Sequence, residues 1–117
     1  IGDANLVKAE ILRIDGDEAE VNIGGIHLKL KHRGISVGEV DVGIRPQAIS
    51  LNTAVNKDEI SATIIKASYL GDHIEYTLES ALGELFVIDN QMEKQFDSGS
   101  TVSLTFRARG LSLIPES

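Results

Sequence analysis

At 117 residues, with a formal net charge of −7 and no cysteine, the chain is one ordinary domain or two small units sharing a core, and a disulfide framework and thiolate metal sites are excluded. A chain of this size buries roughly two thirds of its unfolded surface, so it needs no staple to fold. Its acidity sets it against nucleic acid, whose binding draws on Lys and Arg to neutralise phosphates. No apolar run approaches the ~20 residues of a membrane-spanning helix, and no stretch of the chain reads as a signal peptide.

The first residue is Ile1 rather than Met, and we expect a domain excised from a longer protein. Residues 1–5 read as an entering linker, and residues 6–114 as the domain. Leu6 to Ile14 is rich in strand-forming residues, and Asp15-Gly16 signals a turn. Glu18 to Ile23 alternates with a period of two, placing Ala19, Val21 and Ile23 on one face of a half-buried strand. Gly24-Gly25 then separates it from a second alternating run, Ile26 to Leu30. Both turn positions can take positive φ, the requirement of a tight hairpin. On this hairpin acidic side chains oppose basic ones. His32 to Gly38 reads as a loop, and Glu39 to Arg45 as a strand with Val40, Val42 and Ile44 inward. Pro46 lacks an N–H and ends the ladder, and Ile49 and Leu51 return as a short strand.

Thr53 to Asp58 is a polar connector, after which the plan recurs. Ile60, Ala62 and Ile64 alternate; Tyr69 to Asp72 turns; Ile74, Tyr76 and Leu78 alternate. Ser80 to Gly83 turns again, and Glu84 to Asp89 is a strand. Asn90 to Ser100 reads as a loop with room for one helical turn. Val102, Leu104 and Phe106 alternate, Leu111 and Leu113 close the domain, and 115–117 is a tail.

The two halves, about 6–52 and 60–114, align as an internal repeat. Gly16 to Ile23 matches Gly71 to Leu78 at an offset of 55, Gly25 matches Gly83 at 58, and Gly38 matches Gly99 at 61. Val40, Val42, Ile44, Arg45, Ile49 and Leu51 match Val102, Leu104, Phe106, Arg107, Leu111 and Leu113 at 62. The offset grows only in turns and loops, where insertions are tolerated. Two such units are each marginal alone. They are expected to pack together as a small all-β barrel, with the exchange of strands between them left open.

No catalytic motif is present: no P-loop, no G-x-S-x-G and no H-E-x-x-H. His27, His32 and His73 fall on an exposed strand face, in a loop and beside a turn, a spacing that suits surface histidines better than a metal site. Asp15, Asp17 and Glu18, like Glu75 and Glu79, read as solvated carboxylates. Lys29, Lys31, His32 and Arg33 form the one basic cluster in sequence. It balances the neighbouring acidic strand, and is the candidate contact for an anion or an acidic partner. It lacks interleaved aromatics, and five aromatics in all make a poor platform for stacking bases. Arg45 and Arg107, equivalent in the repeat, are expected to tie their turns to a carboxylate or to turn carbonyls.

Gly43-Ile44-Arg45-Pro46-Gln47-Ala48-Ile49 resembles the G-I-R-P-E-x-[IL] signature of the C-terminal regulatory domain of ABC importer ATPases, the TOBE (transport-associated OB) domain. Tyr69-Leu70-Gly71-Asp72 is similar to the family's Y-L-G segment. Phe96 to Leu104, with Gly99, is similar to the segment before the last strands, and Leu111 to Ile114 to the closing one. Gln47 departs from the usual Glu. The resemblance implies an OB-like barrel built from the duplicated unit, with Gly43, Ile44, Arg45, Pro46, Leu70, Gly71, Asp72 and Gly99 as structural marks rather than active-site residues. It implies a non-catalytic regulatory and dimerisation domain behind an ATPase domain, on the cytoplasmic face of a bacterial inner membrane. Its partners would be that ATPase domain, a second copy of the subunit forming a homodimer, and indirectly the permease subunits. ATP and magnesium would belong to the ATPase domain, with no cofactor or metal in this chain. Two other functions fit the same barrel class: a small-oxyanion module of the molybdate type, and, less well, an OB-fold nucleic-acid binder.

Overall fold

The computed structural model describes residues 4–53 and 59–115. It contains ten strands in two five-stranded antiparallel sheets. The first repeat supplies β1 (Asn5–Asp15), β2 (Glu18–Ile23), β3 (Ile26–Lys31), β4 (Gly38–Ile44) and β5 (Ile49–Asn52). The second supplies β6 (Ile60–Tyr69), β7 (Ile74–Ser80), β8 (Gly83–Asp89), β9 (Thr101–Phe106) and β10 (Leu111–Ile114). A three-residue 3₁₀ turn, Pro46–Ala48 or Ala108–Gly110, precedes the last strand of each repeat. The connector from Thr53 onward lies, apart from Thr53 itself, outside the described residues.

Exchange of strands between the two repeats is the organising fact of the topology. The first sheet runs β10-β4-β1-β2-β3 and the second β5-β9-β6-β7-β8. Each repeat therefore gives its last strand to the other repeat's sheet. Ile44 pairs with Leu111 in one sheet and Phe106 with Ile49 in the other, and these are the same two positions of the repeat. Each sheet curls into an OB-like barrel, bringing β3 toward β10 and β8 toward β5.

Local sequence explains the curl. Gly24 and Gly25 have φ of 60° and 100°, the left-handed values a two-residue hairpin needs, and the Asn22 side chain accepts the Gly25 N–H at 2.8 Å. Register shifts between Ile11 and Arg13 in β1, and between Ile64 and Lys66 in β6, mark equivalent bulges. Such bulges sharpen the bend of a strand, and here they let β1 and β6 each pair with one neighbour along their first half and another along their second. Inward residues of both barrels form one core that includes Ile11, Val21, Ile44, Ile64, Tyr76 and Leu104, all essentially inaccessible to water.

Two expectations are corrected. Asn5, read as linker, opens β1 and is buried. Its amide accepts the Phe86 N–H at 2.7 Å and donates to the Phe86 carbonyl at 2.9 Å and the Ile44 carbonyl at 3.2 Å. One side chain thus supplies the edge of β8 with the pairing a neighbouring strand would provide, and couples the two barrels. The loop from Asn90 to Ser100 has no helical turn. It is held instead by Phe96, which is buried edge-on to Tyr76 (ring centroids 6.1 Å apart) and donates its N–H to the Tyr76 hydroxyl at 3.1 Å.

Candidate functional site

The two 3₁₀ turns meet at a corner between the barrels, and the signature stretch lies in it. Arg45 N–H donates to the Gly110 carbonyl at 2.9 Å, and Arg107 N–H to the Ala48 carbonyl at 2.8 Å. Within each turn, Ala48 N–H donates to Arg45 and Gly110 N–H to Arg107. The four bonds interchange under the offset of 62, so the corner obeys the repeat down to single hydrogen bonds. Pro46 starts the first turn, where its missing N–H leaves nothing unsatisfied and its fixed φ is already suitable.

Close approach requires Gly110. A Cβ there would overlap the Ala48 Cβ and sit 3.5 Å from the Arg45 Cβ. The repeat carries alanine at one position and glycine at its counterpart because the contact has space for one methyl, not two. Gly43 is explained likewise. Its φ is not in the left-handed region, but a Cβ would come within 3.1 Å of the Ile114 Cδ1. Glycine here lets the exchanged β10 lay Ile114 across the outer face of β4. Leu6, 63% exposed, stands opposite Gly43 in the register, so Leu6 and Ile114 leave an apolar surface beside the corner. A cleft of about 420 Å³ opens there, lined by Gly43, Pro46, Ile88 and Ile114 among others. A more polar one of about 380 Å³ lies along the β5–β8 seam, with Ser50, Asn52, Asp89 and Arg107 on its walls.

The arginines divide. Arg107 ties its turn as expected, donating Nη1 to the Gln47 carbonyl at 2.6 Å. Arg45 does not: its backbone N–H holds the corner while its exposed side chain has no hydrogen bond or ion pair among the described residues. The basic cluster is likewise dispersed. Lys31 pairs with Asp17, an ion pair that holds the Asp17 carboxyl below and the Lys31 ammonium above their ordinary ranges. His32 binds the Gly16 carbonyl through Nε2 at 3.0 Å and accepts the Gly34 N–H through Nδ1. Arg33, at φ 55°, reaches across to donate to the Leu113 carbonyl at 3.1 Å, closing the first barrel at its β3–β10 seam. Lys29 is exposed opposite Glu20 in the register, whose carboxylate instead takes Arg13 and His27. The contacts of Lys31, His32 and Arg33 are those of a barrel rim.

Leu70, Gly71 and Asp72 form the β6–β7 turn. Gly71 has φ 87°, Leu70 is half exposed, and Asp72 binds His73 Nδ1 at 2.8 Å. Glu75 approaches the other ring nitrogen at 3.4 Å. The hydrogen bonds that His73 makes to the Asp72 and Glu75 carboxylates raise its pKa above the ordinary value, and His73 lowers that of Asp72. Gly99, at φ 91°, donates to the Ile64 carbonyl at 2.7 Å beside the β6 bulge. Among the described residues, no three His, Cys, Asp or Glu side chains gather to hold a metal ion, and no helix is long and apolar enough to cross a membrane. The sequence reading missed Arg109, the counterpart of Gln47, and the Ala48–Gly110 contact. The pairing of small residues at the offset of 62 was the signal available for the latter.

Comparison with known proteins agrees with the geometry. The family model of the TOBE domain matches residues 42–114. The chain is 33% identical over 114 residues to "Fe(3+) ions import ATP-binding protein FbpC 1" of Rhizobium meliloti (strain 1021) and 35% identical over 114 residues to FbpC of Agrobacterium fabrum (strain C58). In both cases the match covers 97% of this chain but 32% of the relative, so the chain spans about a third of their length. The cytoplasmic molybdate-binding protein ModG, in a crystal form with molybdate bound, superposes with a TM-score of 0.75 at 17% identity, covering 97% of this chain and 96% of that one. The duplicated OB-like barrel, the exchanged last strands and the signature stretch at their corner place this chain in the TOBE domain family.

Proposed function

We propose that the chain is the C-terminal regulatory domain of the ATP-binding subunit of a bacterial ABC importer. It is a non-catalytic module that supports subunit association while an ATPase domain elsewhere in the protein binds ATP and magnesium. The observation that carries this reading is the match of 97% of the chain to one third of proteins named Fe(3+) ions import ATP-binding proteins. The protein would lie on the cytoplasmic side of the inner membrane through its permease partners. Leu6, Ile114 and the cleft beside Gly43 offer a contact surface for the ATPase domain or a second subunit. Ferric ion, the cargo in the relatives' names, is the first to test, and in this reading its handling falls to other subunits.

The nucleic-acid alternative loses ground. Tyr76, Phe96 and Phe106 are buried in the core, which leaves too few accessible rings for a stacking platform. The test uses the longer protein. A P-loop, G-x-x-x-x-G-K-[ST], should stand upstream of this chain. Deleting the chain should leave ATP binding intact while weakening subunit association and permease-dependent ATP hydrolysis. An upstream segment without a P-loop, or association and hydrolysis unchanged by the deletion, overturns the reading.

A further inference from the structure

The two barrels are not closed alike. Each sheet has two edge strands that its curl brings together, β3 and β10 in the first and β8 and β5 in the second, and neither couple is joined by a ladder. In the first barrel Arg33 bridges the gap, donating to the Leu113 carbonyl at 3.1 Å. Leu51 is the counterpart of Leu113 in the repeat. Among the described residues, no side chain of β8 or of the loop after it donates to the Leu51 carbonyl. The cleft of about 380 Å³ lies along this second seam instead.

What faces this cleft is a main-chain edge. Every residue of β5 from Ile49 to Asn52 lines it, although Ile49 and Leu51 are buried in the core. Side chains that alternate between two faces cannot present successive residues to one cleft, whereas the strand's backbone can. In an antiparallel ladder the N–H and C=O of one residue point to the same side, and that side alternates along the strand. The bond from the Arg107 N–H to the Ala48 carbonyl, next to the Ile49–Phe106 pair, sets the phase of β5. Ser50 and Asn52 bond to β9, and Ile49 and Leu51 aim their main-chain groups at the seam. On β8 the Asn5 amide takes both main-chain groups of Phe86, so Ile88, two residues on, aims the same way and lines the cleft. Asn5 occupies one strand position along this edge, and the next has no partner strand.

We propose that the β5–β8 seam receives an extended segment of a partner protein, added as a strand and rich in Ser, Thr, Asn and Gln. The four pairings that separate β5 from β8 are all antiparallel, so the two strands run the same way and one added strand can lie antiparallel to both. The four residues of β5 offer it a track of about 13–14 Å. Strand addition takes its affinity from main-chain hydrogen bonds and its specificity from the side chains beside them. Here those are the amides and hydroxyl of Gln47, Ser50, Asn52, Asn90 and Gln91. Among the described residues none of these five side chains has a hydrogen bond. The two charged groups of the lining are already engaged, Asp89 with the Gln91 N–H and Arg107 with the Gln47 carbonyl, so an uncharged polar segment is the better complement. The proposal does not depend on the importer reading.

The experiment titrates the ¹⁵N-labelled chain with an acetylated and amidated peptide of sequence Thr-Val-Asn-Lys-Ser-Val-Gln, whose alternate residues carry hydroxyls and amides. Saturable shifts should appear at the amides of residues 49–52 and 88–91. The same peptide methylated at the main-chain nitrogens of its central residues should bind at least about tenfold more weakly, since it loses several main-chain donors at once. Ile88→Pro removes an N–H that β7 does not use, a change an edge strand tolerates, and should weaken binding several-fold. Asn52→Ala with Asn90→Ala should weaken it roughly two- to tenfold, the scale of one or two neutral hydrogen bonds. This pair should leave the remaining spectrum and the melting temperature unchanged, which keeps the test available should the proline variant fold poorly. Equal binding of the methylated peptide, no saturation at millimolar concentration, or affinity unchanged in the double variant would each overturn the proposal. Shifts at the same amides that grow with protein concentration in the absence of peptide would overturn it too, by assigning the seam to a second copy of the chain.

Discussion

At the scale of single residues, the corner rests on a difference of one methyl group. Ala48 and Gly110 occupy the same position of the repeat and touch each other, so the second Cβ has nowhere to go. Gly110→Ala should destabilise the chain by roughly 1–3 kcal/mol, the usual cost of overpacking a well-packed contact. Adding Ala48→Gly should restore most of that loss by moving the methyl to the opposite side, a coupling that a double-mutant cycle in denaturant would measure. Additive effects of the two substitutions would show that the contact is not what constrains position 110. Residues of this kind were only half legible in the sequence. Val21, Val42 and Ile44 announced their burial by alternation. Asn5 and Gly110 carry no periodic signal, because what matters for each is a partner far away in the chain. Arg45 shows the reverse error: a position shared with Arg107 did not entail a shared hydrogen bond.

At the scale of elements, strands and hairpins were legible because period-two alternation and left-handed glycines act locally. The Asn90–Ser100 loop was not, since it is fixed by Phe96 inserting beside Tyr76 rather than by its own propensity. The β6–β7 turn makes an electrostatic claim that can be checked. His73 lies between Asp72 and Glu75, and its pKa is raised above the ordinary value of 6.5. A group whose pKa is higher folded than unfolded stabilises the fold fully below the unfolded value, and that contribution disappears as pH rises through the folded value. The lowered pKa of Asp72 has the opposite sign, its contribution vanishing in acid. The turn should therefore help most at pH of about 5–6, between the ordinary ranges of carboxylate and imidazole. The melting-temperature difference between the parent and His73→Gln should be largest there and shrink on going to alkaline pH. A difference that stays flat across this range would mean that the His73 pKa is the same in the folded and unfolded states.

At the scale of the whole molecule, duplication was readable from the offsets, but a repeat does not say whether its copies fold side by side or through one another. The topology answers this: β4 pairs with β10 and β9 with β5, so each barrel's outer strand comes from the other repeat. A chain ending after β5 would have one barrel without its fifth strand and a β5 with no β9 to join. Its counterpart beginning at β6 would be deficient in the same way. The unpaired edges of β4 and β9 would then expose backbone groups that the complete chain satisfies, and each fragment would bury only part of an already small core. We expect fragments 1–53 and 54–117 to be largely unfolded when separate and to acquire strand structure when mixed in equal amounts. Circular dichroism and amide exchange would follow this, with β2 and β7 gaining protection together although they lie in different barrels. In the intact chain the same linkage predicts a single denaturant transition shared by both sheets. Either fragment folding alone with the protection it has in the whole would show that exchanged strands decorate two autonomous barrels instead of joining them into one cooperative unit.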